Sequence, residues 1–255
     1  MSAQPPQTPD YRQRFWERYA TAVHRQREPV SLEAADAFGR PFDIRLRGWL
    51  PERPDAAIVD VACGYGRFLR FFTKRGYTNV LGVDISAEEV ELARTIHPDV
   101  VCADAIEFLE AHPSQFDLIT AIDVVEHMRK DELLRFLDAS RQALRPGGRI
   151  IIHTPNADSP WVTTIRYGDF THELALNPNA LGTVMELCGF ERFEAREGGP
   201  VASSVLSAVR MVLWQVLRLK AMLFNLIETG STGSRVLTRV FLASAVRPVA
   251  NRPKE

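Results

Sequence analysis

The stretch AAIVDVACGYGRFLRFF (56–72) decides the fold of this 255-residue chain. Its first part, 56–62, is a mostly apolar run that predicts a buried strand, and 67–75 has helical spacing of apolar residues. Gly64 and Gly66 lie in the turn between them, where glycine lets the backbone approach a ligand closely. A strand, a glycine-containing turn and a helix in this order predict the first βα unit of a parallel sheet.

Strands and helices continue to alternate downstream. Further strands are predicted at 79–84, 99–104, 116–123 and 149–154. One helix is predicted to follow Ser86, which opens a capping box, and another to span 130–144. Apolar strands that alternate with helices predict a doubly wound α/β fold with both faces of the sheet covered. Ligands of such sheets bind at the carboxyl ends of the strands, so polar residues at those ends are the candidates for a site.

Three aspartates, Asp60, Asp84 and Asp104, lie at or near the ends of the first three strands. Asp84 can accept two hydrogen bonds from ribose hydroxyls, and Asp104 is placed to read an adenine amino group. Leu69 stands where a dinucleotide fingerprint would have its third glycine, which disfavours a pyrophosphate ligand. The pattern predicts a nucleoside ligand without phosphate; the alternative is that each aspartate caps the next helix.

Five segments resemble, in order and spacing, the class I S-adenosylmethionine-dependent methyltransferases: DVACGYG (60–66), LGVDIS (81–86), CADAIEF (102–108), FDLITAIDVVEHM (116–128) and LRPGGRIII (144–152). The resemblance implies S-adenosylmethionine as cofactor and a seven-stranded Rossmann-like sheet of order 3-2-1-4-5-7-6 with the last strand antiparallel. It implies a cofactor site built from Asp60, Ala62, Cys63, Gly64, Gly66, Asp84, Ile85, Asp104, Ala105 and Asp123. Ala62 replaces the first glycine of the family's usual D-x-G-x-G-x-G.

Transfer to a hydroxyl calls for a general base near the methyl group. His172 is our first candidate and His127 the second, while His153 is expected at the sheet edge. The stretch 167–173 and the helix opened by Asn177 resemble methyltransferases of bacterial polysaccharide and sugar-modification clusters. This resemblance implies a hydroxyl of a sugar or glycan as acceptor, with lipid-linked glycans included.

The segment Asp123–His127 is similar to the metal-binding E-x-x-E-H stretch of ubiquinone-pathway O-methyltransferases, with Asp123 in place of the first glutamate. Such oxygen ligands with one imidazole could hold Mg²⁺, but a Glu-His pair is widespread in the superfamily without metal, so we predict no metal site. A small-molecule or quinone O-methyltransferase is the alternative enzyme. A non-catalytic, cofactor-binding protein that docks on a membrane is the alternative from another class.

The chain is expected to form one domain over 11–255 after a disordered tail, 1–10. It would contain an N-terminal helix, a core at 56–154, an acceptor and lid region at 155–235 and a final strand at 236–247. The segment 203–227 predicts a long amphipathic helix, inserted before the final strand, whose charged residues are all basic. Three roles stay open for this helix: peripheral membrane contact, a lid, and a homodimer contact.

The chain has 31 Lys+Arg against 32 Asp+Glu, a formal net charge of -1 that hides an uneven distribution. Residues 198–255 carry eight basic and two acidic residues, which leaves 23 basic and 30 acidic residues before them. No nucleic-acid partner is expected, because the N-P-P-[FY] signature of amino-methylating enzymes is absent. The three cysteines form no C-x-x-C, which favours a reducing cytoplasm, with the inner membrane face as a peripheral location.

Overall fold

The computed structural model describes residues 11–16, 21, 30–202 and 204–249. The helices are α1 (Tyr11–Trp16), α2 (Leu32–Gly39), α3 (Phe42–Arg45), α4 (Arg67–Thr73), α5 (Ala87–Arg94), α6 (Ala105–Ala111), α7 (Lys130–Ala143), α8 (Thr163–Arg166), α9 (Pro178–Leu187) and α10 (Val205–Thr229). The strands are β1 (Ile58–Val61), β2 (Val80–Asp84), β3 (Val100–Cys102), β4 (Phe116–Ile122), β5 (Leu144–Pro155), β6 (Glu191–Glu197) and β7 (Val240–Val246). A short 3-10 helix, Val125–His127, follows β4. The predicted tail 1–10 lies outside the described residues, as does most of the predicted helix at 11–27.

The strands form one sheet in the order β3-β2-β1-β4-β5-β7-β6. β1 to β5 pair in parallel, and β7 lies antiparallel between β5 and β6. The parallel register brings the ends of β1, β2 and β4 together, because Val61 lies beside both Val83 and Ala121. The predicted fold class and strand order are confirmed.

Apolar side chains fill both faces of the sheet. One layer packs α6, α7 and α9 on the sheet through residues such as Leu109, Leu137 and Met185, and the other packs α3, α4 and α5 through Phe42, Phe72 and Val90. All four residues of β1 are buried. Because both faces of the strand are covered, its sequence does not alternate between apolar and polar residues. The buried strands hold the polar residues at their ends in fixed positions.

The turn after β1 uses the left-handed backbone region three times. Ala62 has φ 52°, Gly64 has φ 52° and Gly66 has φ 87°. Glycine adopts this region without cost, whereas alanine is strained there by about 1 kcal/mol. The conformation at Ala62 explains why the resembling family usually has glycine at this position.

The structure differs from the predicted elements in the last three strands of the chain, β5, β6 and β7. β6 has no counterpart among our predicted strands, because only Phe193 and Ala195 alternate inward and charged residues occupy the rest of this edge strand. β5 begins at Leu144, several residues before the predicted start at Arg149, and β7 begins at Val240, later than predicted. Among the described residues, no helix combines the length and the apolarity needed to cross a bilayer.

Candidate active site

A cavity of about 1160 Å³ opens at the carboxyl ends of β1, β2, β3 and β4. Its walls include nine of the ten residues predicted to bind the cofactor: Asp60, Ala62, Cys63, Gly64, Asp84, Ile85, Asp104, Ala105 and Asp123. Both histidines predicted for catalysis, His127 and His172, also line it. The structure therefore brings the two predicted groups of residues to one place.

Gly66 is the exception among the predicted cofactor residues, because it is not part of the cavity wall. It is the N-cap of α4, and a Cβ at this position would meet the backbone and side chain of Ala93 at 3.4 Å. Its missing side chain therefore serves the packing of α4 against α5.

Asp84 is held by the glycine turn. The backbone N–H of Gly64 donates to one carboxylate oxygen at 2.8 Å, and that of Ser86 donates to the other at 2.9 Å. Burial raises the pKa of Asp84 to about 6, although both N–H groups act in the opposite direction. Each oxygen keeps a further lone pair for a ligand that lies in the cavity.

Asp60 is more deeply buried than Asp84 and has the higher pKa. Thr120 lies beside it in the register of β1 with β4, and the Thr120 hydroxyl donates to the Asp60 carboxyl at 2.5 Å. Burial raises the pKa of Asp60 to about 7, and the nearby negative charge of Asp84 adds to this. The carboxyl group is therefore partly protonated near neutral pH.

Asp104 serves in part as a helix cap. Its Oδ1 accepts hydrogen bonds from the N–H groups of Ile106 and Glu107, at 2.9 and 3.0 Å, and so begins α6. This is the alternative that the sequence left open for each aspartate. Because Asp104 also lines the cavity, the cap fixes the carboxyl group next to the space that a ligand would fill.

Asp123 and His153 form a pair on the cavity wall. Asp123 has φ 55°, and its Oδ1 lies 2.6 Å from Nδ1 of His153. His153 is buried and lines the cavity, so it does more than occupy the sheet edge as predicted. Because Asp123 pairs with His153, its carboxylate does not join Glu126 and His127 in the metal-ligand set that their spacing in the sequence suggested.

His127 is fixed by a chain of hydrogen bonds through Thr171 to Asp169. Nδ1 of His127 lies 2.8 Å from the Thr171 hydroxyl, which lies 2.6 Å from Asp169 Oδ1. Burial acts to raise the pKa of Asp169, but the two hydrogen bonds from Thr171, together with the neighbouring His127 and His172, hold this pKa below its ordinary value. An ionised Asp169 only accepts, so the hydroxyl proton points to it and Nδ1–H of His127 must be the donor to Thr171. Nε2 of His127 is then left with its lone pair.

His172 lies directly beside His127, with ring centroids 4.7 Å apart. Its Nδ1 is buried and has no hydrogen-bond partner in the part of the chain that the structure describes. The pKa of His127 is lowered to about 4 by burial and by the neighbouring His172, so His127 is neutral at physiological pH. His172 as a whole lines the cavity, and a buried ring nitrogen without a partner calls for an explanation such as a bond to a ligand or water.

Glu126 completes this end of the cavity. One donor atom each from Glu126, His127 and His172 lies within 4.8 Å of the others, a spacing at which a metal ion could be held. The Thr154 hydroxyl donates to Glu126 at 3.0 Å, and burial raises the pKa of this carboxyl group well above its ordinary value, with a further contribution from the charge of Asp123. Its backbone carbonyl accepts from the N–H groups of Glu173 and Leu174, which ties the loop that carries His172 to the 3-10 helix.

The first helix covers the cavity, which the sequence did not predict. Arg12 forms two hydrogen bonds to Glu132, at 2.6 and 2.8 Å, and both residues line the cavity. Trp16 also lines it and contacts the ring of His127 edge-on, with centroids 5.6 Å apart. The aromatic and arginine content of this segment was visible in the sequence, but nothing local indicated which surface it contacts.

S-adenosylmethionine fits this arrangement at two points. The glycine turn removes side chains beside the Asp84 carboxylate, since Gly64 has only one side-chain atom within 4 Å of where a Cβ would lie. The carboxyl groups of Asp60, Asp84 and Asp104 offer acceptors to the hydroxyl and amino groups of a nucleoside. The three carboxyl groups of Asp60, Asp84 and Asp104 (the carboxylate row) face the same space as His127 and His172 (the histidine pair). A donor and an acceptor of a methyl group require such an arrangement.

Residues 34–194 match a family described as "Methyltransferase domain". The chain is 28% identical over 133 residues to a ubiquinone biosynthesis O-methyltransferase of Klebsiella pneumoniae, covering 48% of this chain and 53% of that protein. It is 33% identical over 135 residues to the protein of the same name from Nitrobacter winogradskyi, covering 50% and 49%. The chain thus matches about half the length of these curated relatives.

Solved structures share the fold. A S-adenosylmethionine-dependent methyltransferase from Archaeoglobus fulgidus aligns with a TM-score of 0.60 and 21% identity, over 93% of this chain and all of that one. Phosphoethanolamine N-methyltransferase 2 of Haemonchus contortus, solved with S-adenosyl-L-methionine, aligns with a TM-score of 0.62 and 16% identity, over 96% of this chain and 61% of that one. The sequence-based prediction is confirmed at the level of the methyltransferase family and of its fold. The chain belongs to the methyltransferase domain family.

Proposed function

We propose that the protein transfers a methyl group from S-adenosylmethionine to a hydroxyl group of a small-molecule acceptor. The observation that carries this proposal is the pair His127 and His172, which faces the carboxylate row across one cavity. Named relatives are O-methyltransferases of ubiquinone biosynthesis, which supports a phenolic or other small hydroxyl acceptor. The sugar or glycan acceptor expected from residues 167–173 gains no support from these relatives, so it is the secondary candidate.

Bound S-adenosylmethionine supplies an electrophilic methyl group on a positively charged sulfur. Asp84 would hold its ribose, Asp104 and Ala105 would border its adenine, and Gly64 would border its methionine part. With an acceptor hydroxyl held between that methyl group and the histidines, its oxygen would bond to the methyl carbon, the electrons of the carbon–sulfur bond would stay on sulfur, and the hydroxyl proton would pass to an imidazole. Holding the two reactants in this geometry contributes much of the rate.

His172 takes the proton of the reacting hydroxyl in this proposal, and His127 orients the acceptor through a neighbouring hydroxyl that donates to its Nε2. The pKa of about 4 makes His127 a weak proton acceptor at neutral pH, whereas its fixed tautomer leaves Nε2 to accept a hydrogen bond. His172 offers a buried ring nitrogen without a partner among the described residues. Together they can hold an acceptor with two neighbouring hydroxyls and remove the proton of the one that reacts.

A test uses isotopically labelled S-adenosylmethionine and a panel of catechols, polyprenylated phenols, free sugars and lipid-linked glycans. We expect transfer to a phenolic acceptor, a fall of about 10²–10⁴-fold in kcat for His172→Ala, and unchanged cofactor affinity by calorimetry. His112→Ala is the matched control, since His112 stacks on Phe108 away from the cavity wall. Cofactor binding without transfer to any acceptor, or full activity of His172→Ala, would contradict the proposal.

The Glu126, His127 and His172 group supports a second candidate, a metal-assisted form of the same transfer. Two imidazoles and one carboxylate suit Zn²⁺ or another borderline metal better than Mg²⁺. Dialysis against a chelator distinguishes the two forms. Activity that survives chelation supports the histidine base, and activity that is lost and then restored by Zn²⁺ or Mn²⁺ supports the metal.

A further inference from the structure

Helix α10 packs on the body of the protein through polar groups. Trp214 Nε1 donates to Glu197 at 3.1 Å, and Arg218, one turn further along the same face, lies 3.8 Å from the other oxygen of Glu197. The Trp214 ring also contacts Trp161 edge-on, with centroids 5.8 Å apart. The face that carries Trp214 and Arg218 is therefore the inner face of the helix.

The opposite face is apolar and exposed along the whole helix. Val205, Val209, Val212, Val216, Leu223 and Ile227 share this face by helical spacing, and each side chain is at least 47% exposed. No residue of α10 is buried, and all of them are described. An apolar patch of this extent on a protein surface marks a site of interaction. The patch lies outside residues 34–194, the part of the chain that matches the family.

The charges on the helix select the kind of partner. Arg210 and Lys220 are exposed, Arg218 is paired, and the sole acidic residue of α10, Glu228, lies in the last turn. Helical spacing puts Lys220 beside the apolar face, where a long basic side chain can lay its stem on the apolar surface and reach lipid phosphates. In a contact between two copies the same ammonium group would be buried without a counter-charge among the apolar residues, which is costly. An anionic lipid surface satisfies both the apolar face and the basic residues.

We propose that α10 is an in-plane docking helix that binds the protein to the surface of anionic membranes. At 25 residues the helix is about 37 Å long and would lie along the surface with its apolar face in the headgroup region. The Trp161–Trp214 contact joins it to the segment after β5 that supplies Asp169 and His172 to the cavity. Docking through α10 would therefore place the acceptor side of the cavity near lipid and favour acceptors that partition into the bilayer, an inference that rests on the proposed function.

Vesicle flotation of the full-length protein tests the docking directly. We expect the protein to float with phosphatidylglycerol-containing vesicles and much less with pure phosphatidylcholine vesicles. The double variant Val216→Glu/Leu223→Glu should reduce binding at least tenfold, since it places two charges in the apolar face. Arg210→Gln/Lys220→Gln should reduce binding several-fold and weaken its salt dependence. Leu187→Glu is the matched control, because Leu187 is 76% exposed on α9, and it should bind like the unaltered protein.

Failure to float, or flotation that survives the double glutamate variant, would overturn the proposal. So would sedimentation of the unaltered protein as a dimer that Val216→Glu/Leu223→Glu converts to a monomer, since the face would then join two copies. Circular dichroism and cofactor affinity of each variant verify folding. The binding readout needs no acceptor, so loss of docking and loss of methyl transfer to a soluble acceptor are separate results.

Discussion

The three carboxyl groups at the strand ends that border the cavity differ in proton affinity because their surroundings differ. Asp84 accepts two backbone N–H groups and has a pKa of about 6, whereas Asp60 accepts one hydroxyl in a deeper position and has a pKa of about 7. In Asp104 one carboxylate oxygen accepts the hydrogen bonds that cap α6. The same residue type at three strand ends therefore has three different tasks.

The affinity for S-adenosylmethionine should fall as the pH falls through about 6. Ribose hydroxyls donate to the ionised Asp84, so binding selects the deprotonated form, and protonation of the free protein below its pKa of about 6 competes with binding. Calorimetric titrations between pH 5 and 8 measure this. Asp84→Asn should raise Kd by about 10–100-fold at pH 8 and reduce the pH dependence. Glu91→Gln, exposed on α5, should leave the profile unchanged, and a pH-independent Kd in the unaltered protein would refute the role of Asp84.

Thr171 should act as a positioning residue for His127. Thr171→Val removes the hydroxyl between His127 and Asp169 while keeping the shape, so the imidazole loses the partner that fixes its tautomer. We expect kcat to fall about tenfold with little change in cofactor Kd, and Thr171→Ser to restore most of it. Steady-state kinetics of the two variants decide the matter; equal loss in both would indicate a packing role for the methyl group.

At the scale of elements, the parallel strands bring the cofactor residues together and two flanking segments complete the acceptor end. The 3-10 helix after β4 carries Glu126 and His127, and the loop bonded to its backbone carries Asp169 and His172. α1 lies over this end through Arg12 and Trp16. The acceptor end is thus built from segments that no sheet register holds in place.

Arg12 should help to keep the cavity closed. Arg12→Gln removes the bidentate pair with Glu132, which is worth about 1 kcal/mol for a partly exposed ion pair, so we expect about a fivefold rise in Kd for S-adenosylmethionine, mainly through faster dissociation. Stopped-flow measurement of cofactor release gives the rate. Arg53→Gln is the matched control, because Arg53 forms a similar pair with Asp55 on the exposed surface away from the cavity. An unchanged release rate in Arg12→Gln would show that α1 does not close the site.

For the whole molecule, the carboxyl groups gathered in the cavity are costly to the folded state in the absence of a ligand. The pKa of Asp60 rises from 3.8 to about 7, so its contribution to stability is full below pH 3.8 and is lost as the pH rises through about 7. Between pH 5 and 8 the raised pKa values of Asp84 and Glu126 act in the same direction, whereas the lowered pKa of His127, about 4, acts against them up to about pH 6.5. The ligand-free protein should therefore lose stability as the pH rises over this range, because three carboxyl groups outweigh one imidazole.

Asp60→Asn should stabilise the ligand-free protein by about 2–4 kcal/mol more at pH 8 than at pH 5. The asparagine oxygen can still accept from Thr120, so the hydrogen bond is kept while the buried charge is removed. Urea unfolding at the two pH values measures the difference, and Glu52→Gln, which is exposed, serves as the control. An equal effect of Asp60→Asn at the two pH values would mean that the buried charge is better solvated than its surroundings imply.

The sequence by itself determined the βα units and the carboxylates at the strand ends, while the sheet order was implied by the resemblance to a known family. The βα units and the position of the carboxylates follow from local periodicity and turn chemistry, together with the rule that parallel strand ends meet at one edge. It did not predict β6, because an edge strand with two inward apolar residues has almost no local pattern.

Only the tertiary structure decided which polar residues pair and which surface each helix contacts. Asp123 with His153, His127 with Thr171 and Arg12 with Glu132 are 30, 44 and 120 residues apart in the chain, so no local pattern encodes their contacts. Likewise the sequence predicted an amphipathic helix near 203–227, but only the packing of Trp214 and Arg218 on Glu197 determined that its polar face turns inward. Local pattern depends on neighbours along the chain, whereas the acceptor site and the exposed apolar face depend on neighbours in space.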